Sequence, residues 1–204
     1  MTQRPRNPRG EGSRLRDEIT RSAADILDEA GEDAVTLRAV ARRVGIAAPS
    51  IYRHFADRDE ILLAVVQEAF AELKARLENA ADTAPPDPLA RLHAICSAYL
   101  DFGLERPRRY RILFGGLWSA AKAQENPAVA PAAAEIGQDV FDLLVRALQE
   151  CVDAGVSRSR AVFPDATALW AGMHGLTGLL PAAPMFPWPD STLDDLIHRL
   201  ALID

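Results

Sequence analysis

Apolar residues recur three or four positions apart along almost the whole chain, and no stretch alternates apolar with polar. That periodicity restricts the fold to packed helices. Leu15, Ile19, Ala23 and Ile26 mark a first helix, capped by Ser13 and ended near Gly31. Thr36 caps a short helix bearing Leu37, Val40, Ala41 and Val44, which stops at Gly45. A third short helix starts near Ala47 and carries Ile51, Tyr52 and Phe55. Asp57 and Glu60 have the spacing of a capping box, ahead of a long helix with Leu62, Val66, Ala69, Leu73 and Leu77. Beyond the break at Ala84-Pro85-Pro86-Asp87-Pro88, one stripe joins Leu89, Leu92, Cys96 and Tyr99, and a short piece holds Tyr110, Leu113 and Phe114. Ile136, Val140, Leu144, Ala147 and Cys151 define another long helix. Asp165 to Leu180 reads as a helix free of charge after its first residue, Pro181 to Asp190 as a loop, and Leu193, Ile197 and Leu200 as a terminal helix. The expected fold is all-α.

A chain of 204 residues can bury a core in one or two domains, and 49% apolar with 25% charged residues excludes a disordered chain, a collagen-like fibre or a disulfide scaffold. Cys96 and Cys151 have no metal-ligand spacing around them and fit buried thiols in a reduced, cytoplasmic setting. A zinc site from His93 and His174 lacks a carboxylate at ligand spacing, so neither metal nor cofactor is expected. The start of the chain has no apolar run of a secretory signal. Residues 166–189 carry no charge over 24 positions, but Gly172, Gly175, Gly178 and Pro181 interrupt them and the apolar part ends near Leu180. A buried helix therefore fits better than a membrane span. No Ser-His-Asp or Cys-His arrangement and no glycine-rich phosphate loop is present, which argues against an enzyme.

The net charge of −6 is unevenly placed. Residues 1–60 balance 11 arginines against 11 acids, and residues 61–204 hold 12 basic and 18 acidic side chains. An acidic body repels DNA, so any DNA binding is confined to the first 60 residues. There Gly45-Ile46-Ala47 separates two short helices. A glycine at that turn lets them cross steeply, as in a helix-turn-helix, and Val40, Ala41, Ile46 and Ile51 would pack the pair. The second helix would then present Ala48, Ser50, Tyr52, Arg53 and His54 outward, in a shape that fits the major groove.

Thr36, the small Ala41, Gly45-Ile46, Tyr52-Arg53-His54-Phe55, Arg58 and Leu62 together resemble the DNA-binding domain of the TetR family of bacterial transcriptional repressors. The likeness covers residues 14 to about 66 closely. It implies a basic tail (1–13, with Arg4, Arg6 and Arg9), a helix-turn-helix domain (14–60) and a helical effector-binding and dimerisation domain (61–204). It further implies phosphate contacts from Thr36, Tyr52, His54 and Arg58, and core packing by Phe55. Ala47 opens the recognition helix where the family often has serine. Ala48, Pro49, Ser50 and Arg53 are the positions able to touch base edges, with readout resting mainly on Arg53 and Ser50.

For the larger domain, Trp170-Ala-Gly-Met-His174-Gly175 with Tyr110-Arg-Ile-Leu-Phe114 resembles a C-terminal domain type named for its Trp, His and Gly. The expected effector pocket is lined by Phe70, Leu73, His93, Tyr99, Phe102, Tyr110, Phe114, Trp118, Phe141, Leu144, Trp170 and His174, and suits an apolar or aromatic molecule. The expected dimer interface uses Trp170, Met173, Leu176, Leu193, Ile197 and Leu200. Arg106, Arg108, Arg109 and Arg111 form a basic cluster that either grips an anionic group or is a solvated helix start. The resemblance thus implies a homodimeric repressor that binds a palindromic double-stranded DNA operator and is released by a small molecule. A ligand-independent regulator or activator of the same fold, or a helical protein-interaction adaptor, is the alternative.

Overall fold

The computed structural model describes residues 11–116 and 120–203. The expected roles of Arg4, Arg6, Arg9 and Trp118 fall outside the described residues. Among the described residues the helices are α1 (Glu11–Ala30), α2 (Leu37–Val44), α3 (Ala48–Ile51), α4 (Arg58–Thr83), α5 (Pro88–Glu105), α6 (Pro107–Phe114), α7 (Ala120–Ala123), α8 (Ala130–Glu135), α9 (Gln138–Asp153), α10 (Val162–Ala182) and α11 (Thr192–Leu200). No strand occurs among them, only an isolated antiparallel bridge between Ser157 and Ile203. The all-α expectation holds.

The chain forms two compact units. One takes the described residues through Ala69 together with Arg111–Ile136; the other takes Phe70–Tyr110 and residues 137–203. This differs from a division after residue 60. Leu63 explains part of the difference: it is buried in a cluster with Ala123, Val129 and Ala133, against which Ile136 also packs. The Asn126 side-chain amide adds hydrogen bonds to Asp57 Oδ2 at 3.2 Å and Asp59 Oδ2 at 3.1 Å. Sequence spacing cannot show that a segment so distant in the chain returns to the start of α4.

In the first unit the stops and caps act locally. Gly31 (φ 80°) and Gly45 (φ 76°) take left-handed backbone that favours glycine, and each ends a helix. Thr36 Oγ1 accepts from the Ala39 amide at 3.1 Å. Asp57 Oδ1 accepts from the Glu60 amide at 2.9 Å while Glu60 Oε2 accepts from the Ala56 amide at 2.8 Å, so this reciprocal cap reaches one residue further back than a standard capping box. Helix α1 begins before Ser13, which therefore lies inside it.

In the second unit Asp87 caps α5 by accepting from the Ala90 amide at 2.7 Å, with Pro88 at the first helical position. Its core joins Leu92, Cys96, Tyr99 and Phe102 of α5, Leu144, Ala147, Leu148 and Cys151 of α9, Leu169, Met173 and Leu176 of α10, and Ile197 of α11. Helix α9 begins only at Gln138, after Gly137 (φ 79°), which leaves Ile136 outside it. Pro181 falls in the last turn of α10 rather than in the following loop. No helix among the described residues is long and apolar enough to cross a membrane.

Three of the expected interface residues face inward. Met173, Leu176 and Ile197 are buried within the chain's own core and are not available to a second copy. Leu193 and Leu200 are half-buried, and a Cβ on Gly172 would stand 2.9 Å from Leu200 Cδ1, so α11 packs on α10 of the same chain. A helix apolar all round has no periodic signal to say which face turns inward. The exposed side of α10 carries Phe163, Thr167, Ala168, Ala171, Gly178 and Leu179 instead.

Candidate functional site

Helices α2 and α3 pack on each other through Val40, Ala41 and Ile51, all fully or almost fully buried, with Ile46 half-buried between them. Phe55 is 1% exposed and lies under the Arg16 guanidinium, whose carbon is 4.0 Å from the ring centroid. Arg16 also donates to the His54 carbonyl, tying α1 to the end of the recognition segment. Helix α3 is short, and Tyr52 and Arg53 sit in the turn that follows it.

Tyr52 is 61% exposed, which excludes it from the core. Ala47, Pro49 and Arg53 are also exposed, while Ala48, Ser50 and His54 are half-buried. Ala47 stands at the N-cap of α3 and gives it no side-chain hydrogen bond, and Pro49 in the first turn removes one amide that would otherwise need a partner. Arg38 and Arg42, one turn apart on α2, are exposed too. Sequence reasoning passed over these two, although their i, i+4 spacing was the available signal.

In the second unit the Trp170 Nε1–H donates to Tyr99 Oη at 3.2 Å, Tyr99 Oη meets Tyr110 Oη at 3.0 Å, and Tyr110 Oη meets His174 Nδ1 at 2.5 Å. An indole can only donate. Burial lowers the pKa of His174, which favours the neutral ring and lets Nδ1 accept from Tyr110. Tyr99 then donates to Tyr110, and the order Trp170, Tyr99, Tyr110, His174 satisfies the indole N–H and both phenol O–H groups. Burial holds both phenols above their ordinary range, Tyr99 most strongly. Phe141 packs edge-on to Trp170 at 6.0 Å. Burial also pushes the Cys151 thiol up to about 11 and raises that of Cys96, so neither is a ready nucleophile. No group of three or more metal-ligating side chains is placed to hold an ion among the described residues.

A helix-turn-helix head followed by a helical unit containing a Trp-Tyr-Tyr-His array is a specific combination. Residues 19–65 match the model of the bacterial regulatory proteins of the tetR family, and residues 92–202 match the tetracyclin repressor-like C-terminal domain. The chain belongs to the TetR family. It is a DNA-binding transcriptional regulator, not an enzyme. The transcriptional activator FasR of Mycolicibacterium smegmatis is 28% identical over 163 residues, covering 78% of this chain and 71% of FasR. The class A tetracycline repressor of Escherichia coli is 37% identical over 54 residues, which is 26% of this chain and 25% of the repressor. A solved structure from Rhodococcus sp. RHA1, of a protein of unknown function, has a TM-score of 0.75 at 27% identity and covers 96% of this chain and 95% of its own.

For this TetR-family regulator, several expected site residues fall elsewhere. Arg58 is turned inward: its Nε donates to the Val35 carbonyl at 2.9 Å and its Nη2 to the Glu32 carbonyl at 2.7 Å, with Glu32 Oε1 at 3.2 Å. It braces the turn between α1 and α2, and a phosphate would have to compete with these acceptors. His93 is not in the aromatic array. It faces α11, with Nδ1 3.3 Å from Asp194 Oδ1 and its ring 5.5 Å from that of His198. Phe114 belongs to the compact unit that holds the DNA-binding head. Leu73, Phe102 and Leu144 are core residues of the second unit, and Phe70 packs against Gly137. Of the twelve expected pocket residues, Tyr99, Tyr110, Phe141, Trp170 and His174 are brought together.

The half-buried His174 imidazole has a measurable consequence. With the folded pKa of His174 below the ordinary 6.5, the unfolded chain takes up the proton first. This contribution to stability is complete above about pH 6.5 and is lost as pH falls from there through the lower folded value. Melting temperatures recorded from about pH 7.5 to about pH 5 should fall with acid, and His174→Gln should flatten part of that slope. An unchanged slope in the variant would assign the acid sensitivity to other groups.

Proposed function

We propose that the chain is a homodimeric, effector-responsive repressor of the cytoplasm that binds a palindromic operator and leaves it when a small apolar or aromatic molecule enters the second unit. The observation that carries this reading is the exposed Tyr52-Arg53 pair beside a firmly packed α2–α3. A lone head reads too few base pairs, so two copies are needed at a spacing of one helical turn or a multiple. The uncharged, exposed side of α10 is the surface offered for pairing. Helix α4 runs unbroken from Arg58 to Thr83, which gives a ligand-driven shift in the second unit a stiff element through which to move the head. Such a shift releases DNA only if the ligand prefers the arrangement that does not bind DNA.

In this reading Tyr52, His54 and Thr36 meet phosphates, Arg38 and Arg42 add phosphate contacts, and Arg53 and Ser50 read bases, with Ala48 and Pro49 offering apolar contact to a thymine methyl. The test is selection of bound fragments from random DNA at near-physiological salt. An enriched inverted repeat supports the dimeric regulator, and loss of binding on ligand addition supports effector release. Enrichment of fragments without an inverted repeat, or no enrichment from folded, ligand-free protein, would overturn the palindromic-operator reading. Two variants divide the contacts. Tyr52→Phe should weaken all sequences alike, whereas Arg53→Ala should cost about 1–3 kcal/mol at its cognate base and relax preference there. A changed consensus in Tyr52→Phe would overturn the phosphate assignment.

The name of FasR, an activator, favours a second reading: the same head and effector domain raising transcription when bound. A promoter reporter with the selected operator gives the sign.

A further inference from the structure

The arginine-rich stretch between α5 and α6 divides once it is folded. Arg106 Nη1 lies 3.2 Å from Glu72 Oε1, and Arg109 Nε lies 3.6 Å from Glu72 Oε2. Glu105, in the same stretch, pairs with Arg76 Nη2 at 2.6 Å. Glu72 and Arg76 are one turn apart on α4, so acid and base cross over: α4 offers one of each, and the α5–α6 junction answers both. Arg108 and Arg111 are exposed to solvent. Three guanidinium groups thus stand against two carboxylates, and Arg76 holds the Glu105 carboxyl below its ordinary range. The cluster keeps a positive charge that its own acids do not neutralise.

Two atoms show where that charge is short of acceptors. Nη1 of Arg76 and Nη1 of Arg109 are buried, and neither meets a hydrogen-bond acceptor. A buried guanidinium N–H without an acceptor is costly, and a carboxylate or phosphate oxygen is the group that satisfies two such donors together. Both side chains keep a solvent-facing part, Arg76 being 34% and Arg109 24% exposed, so an anion can approach from outside. Arg76 stands 6.0 Å above the Phe102 ring, and Arg109 directly precedes Tyr110, which holds His174. We propose that Arg76 and Arg109 form an anion subsite that takes the carboxylate or phosphate head of the effector. Its link to regulation rests on the effector-responsive reading above; the binding itself does not.

Calorimetry on the full chain without DNA tests it, with octanoate, octyl phosphate and octanol as probes at constant ionic strength. At least one anionic probe should bind about tenfold or more tightly than the alcohol, and the tighter head names the chemistry. Arg76→Gln with Arg109→Gln should bring that probe to the alcohol's affinity, while Arg108→Gln leaves the preference intact. Should the double variant fail to fold by circular dichroism, Arg109→Lys keeps the charge without the planar fork and should lower the preference in part. Equal binding of alcohol and anions, a preference that survives in the folded double variant (or in Arg109→Lys, where that replaces it), or no heat with any probe would each overturn the subsite. Because no DNA is present, failure of operator release alone would overturn only the regulatory reading.

Discussion

Phe55→Ala is expected to remove about 3–5 kcal/mol from the stability of the DNA-binding head, because an almost fully buried aromatic leaves a cavity that its neighbours fill only in part. The loss of the Arg16 stack adds about 0.5–1 kcal/mol. That is a large fraction of a small unit's total stability. The variant should lose DNA binding at temperatures where the second unit is still folded. Two-probe denaturation in a Trp118→Phe background checks this, with fluorescence of Trp170 and Trp188 reporting the second unit and DNA binding reporting the head. Coincident loss of both signals would show that the two units unfold as one. Retention of wild-type affinity would remove Phe55 from its place as the support of the recognition segment.

Gly103→Ala has the next largest expected effect. A Cβ at this buried position would stand 2.1 Å from Thr177 Cγ2 and 3.2 Å from the Tyr110 ring. Thr177 cannot turn away without giving up the bond its Oγ1 donates to the Met173 carbonyl at 2.8 Å. The overpacking should cost about 1–3 kcal/mol and displace Tyr110 from His174. Thr177→Ser removes the clashing methyl and keeps the hydroxyl. In the Gly103→Ala background it should therefore recover most of the loss, while costing little of its own in the wild type. Chemical denaturation of the four proteins gives the coupling. Simple additivity of the two substitutions would mean that α5 and α10 adjust to the extra carbon in another way.

Much of the local architecture was legible in the residues alone. Thr36, Gly31, Gly45 and Asp57 set helix ends through their own backbone preferences and side-chain oxygens, which act over three or four residues. The order of the long helices followed from apolar spacing. The helix-turn-helix was readable because Val40, Ala41 and Ile51 must share one contact around a glycine turn. The same local logic explains the errors at Ser13, Ile136 and Pro181, where a helix starts or stops a few residues from the strongest signal.

The sequence by itself determined that this chain is helical, where most of its helices begin and end, and which segment resembles a TetR-family head. Tertiary structure decided the partners. It turned Arg58 inward to Val35 and Glu32, sent His93 to α11, buried Met173 and Ile197 in the chain's own core, and set Arg76 beside Glu105. The physical reason is range. Caps and periodicity are properties of neighbours in the chain, whereas the face a helix buries and the acceptor an arginine finds depend on side chains brought close only by packing.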